Sequence, residues 1–159
     1  MPDRGLSPVV GAVCLVVVVV GLVGATVAIL PGTPDGASDP TRARLSLTAN
    51  ASDAGGGLEL RHEGGTPIDL REVDVEIDVD GVPLAHQPAV PFNGHRGFNG
   101  AASGAFHPET DDVWRAGETA GLTIAATSNH PTVEPGSQVT VRIRRDDRVV
   151  AEVSAAASA

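Results

Sequence analysis

The chain has 159 residues, of which 42% are hydrophobic, and its 20 acidic and 11 basic residues give a net charge of −9. This composition excludes a collagen, a basic nucleic-acid binder and, because Cys14 is the only cysteine, a disulfide scaffold. All 11 basic residues are arginine. An acidic, lysine-free surface holds water, and salt screens its self-repulsion, so this composition favours a halophilic protein. The alternative is a bias from Lys to Arg with an ordinary acidic surface.

The first predicted element is an uncharged apolar segment of 25 residues, Leu6–Leu30, which follows the polar leader 1–5. As a helix it would be roughly 38 Å long, more than the ~30 Å hydrocarbon core of a bilayer. We therefore expect a transmembrane helix that ends at Pro31. Arg4 is the only basic residue before the segment, so the positive-inside rule favours a cytoplasmic N-terminus and an external C-terminal domain.

Three interpretations of this segment compete: a cleaved secretory signal, a lipoprotein signal and a retained helix. A secretory signal has a shorter apolar region followed by a small-x-small site. A lipoprotein signal would place its apolar region before the cysteine, but Cys14 lies near the start of the run. These features favour a retained helix in which Cys14 is simply a small apolar residue.

The junction between leader and apolar segment is formed by five residues in sequence: Arg4, Gly5, Leu6, Ser7 and Pro8. With the valine-rich run that follows, residues 1–30 resemble the N-terminus of haloarchaeal type IV pilins. In that family a prepilin peptidase cuts after a glycine preceded by a basic residue, which implies cleavage between Gly5 and Leu6. The resemblance also implies partners: other pilins, the prepilin peptidase, a platform membrane protein, an assembly ATPase, and membrane lipid before assembly.

The resemblance includes one departure from the bacterial pattern. Bacterial pilins usually carry a glutamate as the fifth residue of the mature chain, where this sequence has Val10. A filament without that carboxylate must rely on packing of its helices. Small residues at helical spacing would allow close approach, and the candidates for helix packing are Gly21, Gly24, Ala25 and Ala28. The alternative is that Gly and Ala are common in membrane helices.

Residues 31–42 contain three prolines and two glycines and are predicted to form a linker. Residues 43–159 then show short segments of period-two alternation, which predict a β domain. The predicted fold class is therefore an N-terminal transmembrane or filament-core helix followed by an all-β domain, an immunoglobulin-like β-sandwich. Strands are expected at Leu45–Ala49, Leu58–His62, Val73–Val79, Leu122–Ala126, Val139–Arg144 and Val149–Val153.

Two of these strands carry further expectations. From Val73 to Asp80 valine or isoleucine alternates with acid, which predicts one core face and one solvated face. The acids spread along roughly 20 Å and are too far apart for one calcium ion. The last two strands flank residues 144–148 and are expected to form a hairpin.

All four aromatic residues lie in a glycine-rich insertion near residues 86–119. An aromatic loop on an exported domain suggests a contact loop formed by Phe92, Phe98 and Phe106. The alternative is that the rings complete the core of the domain, with Trp114 as its foremost member.

The sequence contains none of the common catalytic or phosphate-binding motifs and no paired-cysteine metal site. We therefore expect no catalytic residues, no cofactor and no metal, and a protein that is not an enzyme. His62 precedes Gly64-Gly65 in a segment that resembles a turn region of haloarchaeal pilins, so it is predicted to be a turn or packing residue. Asn50-Ala51-Ser52 is a sequon, which makes Asn50 a candidate for N-glycosylation.

Taken with the resemblance, these features predict a pilin: a structural subunit of an archaeal type IV pilus-like filament that serves surface adhesion. The chain would first lie in the cell membrane as a single-pass protein and then join the extracellular filament, and it would bind no nucleic acid. Two alternatives stay open at this point. One is a permanently anchored extracellular binding domain, and the other is a minor pilin or pseudopilin that does not form the filament body.

Overall fold

The computed structural model describes residues 42–159. Ten β-strands account for the regular structure of this part of the chain. In chain order they are β1 (Ala43–Ser52), β2 (Gly55–Gly65), β3 (Ile68–Asp69), β4 (Asp74–Val79), β5 (Val82–Pro83), β6 (Ser103–Gly104), β7 (Val113–Trp114), β8 (Thr119–Ala125), β9 (Gln138–Arg145) and β10 (Arg148–Ala156). The six strands predicted from alternation each overlap one of the long strands in this set.

The strands form two four-stranded sheets and one small two-stranded sheet. Sheet I has the order β1-β2-β8-β6, sheet II has the order β10-β9-β4-β5, and β3 pairs with β7. All pairings between these strands are antiparallel. Buried side chains of both four-stranded sheets belong to one hydrophobic cluster, so the two sheets share a single core.

The predicted fold class is wrong for the part of the chain that can be judged. It combined an N-terminal helix with a β domain, whereas residues 42–159 contain strands, turns and loops and no helix. Within these residues no helix is long and apolar enough to cross a membrane. The segment predicted to be helical, Leu6–Leu30, lies outside the described residues.

Side-chain alternation explains how each long strand contributes to the core. In β4 the side chains of Val75, Ile77 and Val79 are at most 2% exposed, while Asp74 on the opposite face is exposed. Valine and isoleucine suit this position because their branched side chains pack well on a pleated surface. Burial of each such side chain stabilises the fold by about 1.5–3 kcal/mol.

The predicted hairpin of the last two strands is confirmed, and the predicted core and solvated faces of β4 are confirmed with one correction. Strands β9 and β10 form the expected antiparallel hairpin, with Arg145 opposite Arg148. The solvated face of β4 is not uniform, because Asp78 is only 7% exposed. Its carboxylate pairs with Arg142 on the neighbouring strand, so an ion pair takes the place of water.

A tight hairpin joins β4 to β5 at the edge of sheet II. Asp80 and Gly81 both have positive φ, at 52° and 79°, and Val79 lies opposite Val82. Two left-handed residues in a two-residue loop are typical of a type I′ turn, in which Asp-Gly is a favoured pair. Beyond β5, the side chain of Gln87 accepts a hydrogen bond from Ile77 N–H at 2.7 Å and donates one to Ile77 O at 3.0 Å. The Gln87 amide thereby completes the edge of β4.

The C-terminal residues connect the two sheets. After β10, Ser158 N–H donates to Ala49 O at 3.0 Å, and Ala51 N–H donates to Ser158 O at 2.7 Å. On the other side, Ala157 N–H donates to Ser137 O at 2.8 Å, next to the start of β9. Ala157 and Ser158 therefore lie along the last part of β1, where they join the edge of sheet I to sheet II.

Candidate functional site

Many of the predicted site residues lie outside the described part of the chain. This group comprises the leader-cleavage residues Arg4, Gly5, Leu6, Ser7 and Pro8 and the helix-packing residues Gly21, Gly24, Ala25 and Ala28. The structure therefore bears only on the candidate acceptor Asn50 and on the aromatic residues.

Asn50 lies near the end of β1, on the outer face of sheet I, and its side chain is exposed. It is paired with Gly57 of β2. A Cβ atom on Gly57 would lie 3.3 Å from Asn50 Nδ2, so the glycine leaves open space beside the amide group. The third residue of the sequon, Ser52, donates its hydroxyl to Gly55 O at 2.8 Å in the β1–β2 turn. The side chain of Asn50 is thus exposed on a hydrogen-bonded strand.

Asn50 borders a shallow depression of about 340 Å³ on the outer face of sheet I. The depression is lined by small or polar side chains that include Gly57, Ser103, Gly121 and Thr123. Glycine in the interior of a strand weakens it and often marks a place where another molecule or backbone approaches closely. This surface provides room for a group attached to Asn50.

The predicted contact loop is buried. Phe92 and Phe98 are 7% and 8% exposed, and Phe106 is fully buried. Phe106 lies edge-on to Trp114 with ring centroids 5.3 Å apart, and Phe92 lies 5.4 Å from Phe98. All of these rings belong to the hydrophobic cluster. They therefore complete the core and do not form an exposed contact surface, because sheets rich in valine and alanine leave a volume that large rings fill.

Trp114 is held by a polar contact as well as by packing. Its Nε1–H donates to Glu118 O at 3.0 Å, so the one polar atom of the ring is satisfied. His62 is fully buried and packs edge-on against Trp114 at 5.7 Å. His62 Nε2 lies 3.1 Å from Thr66 O, while Nδ1 has no hydrogen-bond partner among the described residues. His62 is a packing residue of β2 and not a turn residue.

Ion pairs cross the outer face of sheet II. Asp78 of β4 and Glu152 of β10 both bind Arg142 of β9, and Glu152 Oε2 lies 2.7 Å from Arg142 Nε. One step along the strands, Arg144 Nη1 lies 3.3 Å from Glu76 Oε1. Hydrogen bonds from Arg142 to Asp78 and then to Glu152 raise the pKa of the Arg142 guanidinium above its usual value. The network therefore links three adjacent strands.

Asn129 is a buried polar residue that the sequence analysis missed. It is fully buried, and its Oδ1 accepts a hydrogen bond from His86 N–H at 2.9 Å. Its Nδ2 donates to His86 O at 2.9 Å and to Gly97 O at 3.1 Å. These three bonds connect loops that are far apart in sequence, and no local pattern around Asn129 indicated them.

Neither a metal site among the described residues nor a match to a known protein indicates the function of the β domain. Among residues 42–159 no group of three or more His, Cys, Asp or Glu side chains is placed to hold a metal ion. No protein-family model matches the chain. A search of curated proteins likewise finds no match.

Proposed function

We propose that this chain is the structural subunit of a type IV pilus-like surface filament that serves adhesion. The observation that carries the proposal is the junction Arg4-Gly5-Leu6, which stands directly before the 25-residue apolar segment. A peptidase that cuts at this junction removes only the leader and leaves the apolar segment on the chain. Such a segment leaves lipid readily only for an equally apolar environment, which the same segments of neighbouring subunits provide in a filament core.

In this proposal residues 43–159 form the outer part of the filament. Polar side chains on the outer faces of both sheets support this role, because they suit contact with water. On sheet I the exposed residues of β1 include Ser46, Thr48 and Asn50, and on sheet II the charged network of Arg142 covers the surface. The partners are sister pilins, the prepilin peptidase, a platform membrane protein and an assembly ATPase, and the role is structural and not enzymatic.

The mature N-terminus tests the proposal. We expect mass spectrometry of sheared surface material to find a chain that begins at Leu6. A Gly5→Leu variant should keep its leader, whereas Gly32→Leu, a matched change in the predicted linker, should be processed normally. An intact leader confined to membranes would instead indicate a permanently anchored binding domain. A chain that begins at Leu6 only in membranes would indicate a minor pilin or pseudopilin.

A further inference from the structure

The inference concerns two asparagine residues that lie in the same short sequence. Phe92-Asn93-Gly94 and Phe98-Asn99-Gly100 are two copies of one triplet, in the long segment between β5 and β6. In both copies the phenylalanine is buried, and the asparagine and the glycine are exposed. Both glycines have positive φ, at 94° and 71°, and a Cβ atom on either would have nothing within 4 Å. The two asparagines therefore share their sequence neighbours, their exposure and their open surroundings.

An asparagine that precedes glycine can lose its side-chain amide without an enzyme. The backbone nitrogen of the glycine attacks the side-chain carbon Cγ of the asparagine, and the absence of a Cβ atom on glycine leaves the approach open. A bond forms between this nitrogen and Cγ, the bond from Cγ to Nδ2 breaks, and the amide group leaves as ammonia with the proton of the peptide N–H. Water then opens the cyclic imide at either carbonyl carbon. One opening gives aspartate, and the other gives isoaspartate, in which the main chain passes through Cβ and Cγ.

The attacking nitrogen is free in both triplets. Among residues 42–159 neither Gly94 N–H nor Gly100 N–H donates a hydrogen bond. The reaction also requires Cγ to come within about 3–3.5 Å of this nitrogen, in the correct orientation. Whether that happens depends on how freely the asparagine can turn, and in this respect the two triplets differ.

Asn99 is held by its side chain and by its backbone. Its Nδ2 donates to Ala54 O at 2.8 Å, and its backbone N–H donates to Thr123 O at 2.8 Å. The preceding residue, Phe98, forms an antiparallel bridge with Ile124 of β8. Because Nδ2 is the group that must leave, loss of ammonia from Asn99 requires its hydrogen bond to Ala54 to break first, in a local opening of the structure.

Asn93 has no comparable restraint. Among residues 42–159 neither its side chain nor its backbone N–H has a hydrogen-bond partner. The preceding residue is anchored, since Phe92 N–H donates to Phe106 O at 3.0 Å, so the chain is fixed up to Phe92 and free to turn at Asn93. We propose that Asn93 is a site of spontaneous deamidation, with water as the co-reactant, and that hydrogen bonding protects Asn99.

The modification would change the charge of the chain and keep its fold. Each reaction replaces a neutral amide by a carboxylate on a chain whose net charge is already −9. The isoaspartate product also adds a carbon atom to the main chain, at an exposed residue that lies outside the strands. The reaction needs only this loop and water, so the proposal goes beyond the proposed function and does not depend on it.

Incubation of the full-length chain at one mildly alkaline pH tests the proposal. Peptide mapping by mass spectrometry follows each site, because the product is heavier by the difference between a carboxyl and an amide group. In the folded chain we expect Asn93 to react about ten times faster than Asn99, the factor expected from hydrogen bonds that must first break. In denaturant the two sites should react at similar rates, since their triplets are identical. Equal rates in the folded chain, or a faster reaction at Asn99, would overturn the proposal.

A pair of variants tests the location of the reaction. In Asn93→Gln the longer side chain must close a larger ring, so we expect no mass gain over the period in which the parent chain reacts. Asn99→Gln is the matched control in the second triplet and should leave the mass gain unchanged. The buried emission of Trp114 shows that both variants are folded. A mass gain that persists in folded Asn93→Gln would place the reaction at another residue and reject the proposal.

Discussion

Removal of Arg142 is expected to destabilise the β domain by leaving Asp78 without its counter-charge. The side chain of Asp78 is 9% exposed, and its ion-pair partner is Arg142, whose own side chain is 32% exposed. Breaking a fully buried pair by removing one partner costs about 3–5 kcal/mol, whereas an exposed pair contributes at most about 1 kcal/mol. Because water reaches the arginine, we expect Arg142→Leu to lower the free energy of unfolding by about 2–3 kcal/mol. For a domain of this size that corresponds to a fall in Tm of roughly 10 °C.

Trp114 provides the assay for this prediction, since it is the only tryptophan, the chain has no tyrosine and its ring is fully buried. Chemical denaturation followed by its emission gives the free energy of unfolding. Glu152→Gln is the matched control, because Glu152 also binds Arg142 but its side chain is 51% exposed, and we expect a loss below about 1 kcal/mol. Asp78→Asn should recover part of the stability lost in Arg142→Leu. Equal losses in Arg142→Leu and Glu152→Gln would refute the reasoning.

Two further predictions use asparagine residues, with the exposed Asn93 as a shared control. Asn129→Ala removes three buried hydrogen bonds and should lower the free energy of unfolding by about 3 kcal/mol, whereas Asn93→Ala should lower it by less than about 0.5 kcal/mol in the same denaturation assay. A loss for Asn129→Ala near that of Asn93→Ala would contradict the account of Asn129. Asn50→Gln should lower the intact mass of the chain from its native host by the mass of a glycan, whereas Asn93→Gln should leave that mass increment in place; an unchanged mass would show that Asn50 is not modified.

Local patterns predicted the long strands because a sheet with one buried face imposes period-two alternation on its sequence. The run from Val73 to Val79 and the hairpin of β9 and β10 are the plainest cases, and both appear in the structure. The β4–β5 hairpin was missed although Asp80-Gly81 is a recognised turn signal. Residues after this turn, Val82 and Pro83, are too few to show any periodicity, which explains why β5 was not predicted.

Side-chain environments that depend on distant residues were harder to predict. Asp78 has the same alternating context as Asp74 and both lie opposite β9, yet Asp78 is buried against Arg142 while Asp74 is exposed. The burial of the three phenylalanines likewise depends on how a long insertion folds back onto the core, which spacing alone does not show. The predicted fold class added a helix to the β domain on the length of the apolar segment, whereas residues 42–159 contain strands, turns and loops and no helix.

The placement of Ser158 beside β1 has a consequence for the order in which this domain forms. Ser158 and Ala49 are 109 residues apart in sequence, so their contact closes a long loop at a high entropic cost. Contacts of such high sequence separation slow folding, because the chain loses the entropy of loop closure before the contact contributes any stability. During synthesis, the β1–β2 and β9–β10 hairpins can form from local contacts, but the junction of the two sheets requires Ala157 and Ser158, which are made after both hairpins. Until then, Ala49 O and Ala51 N–H lack the hydrogen bonds that Ser158 provides.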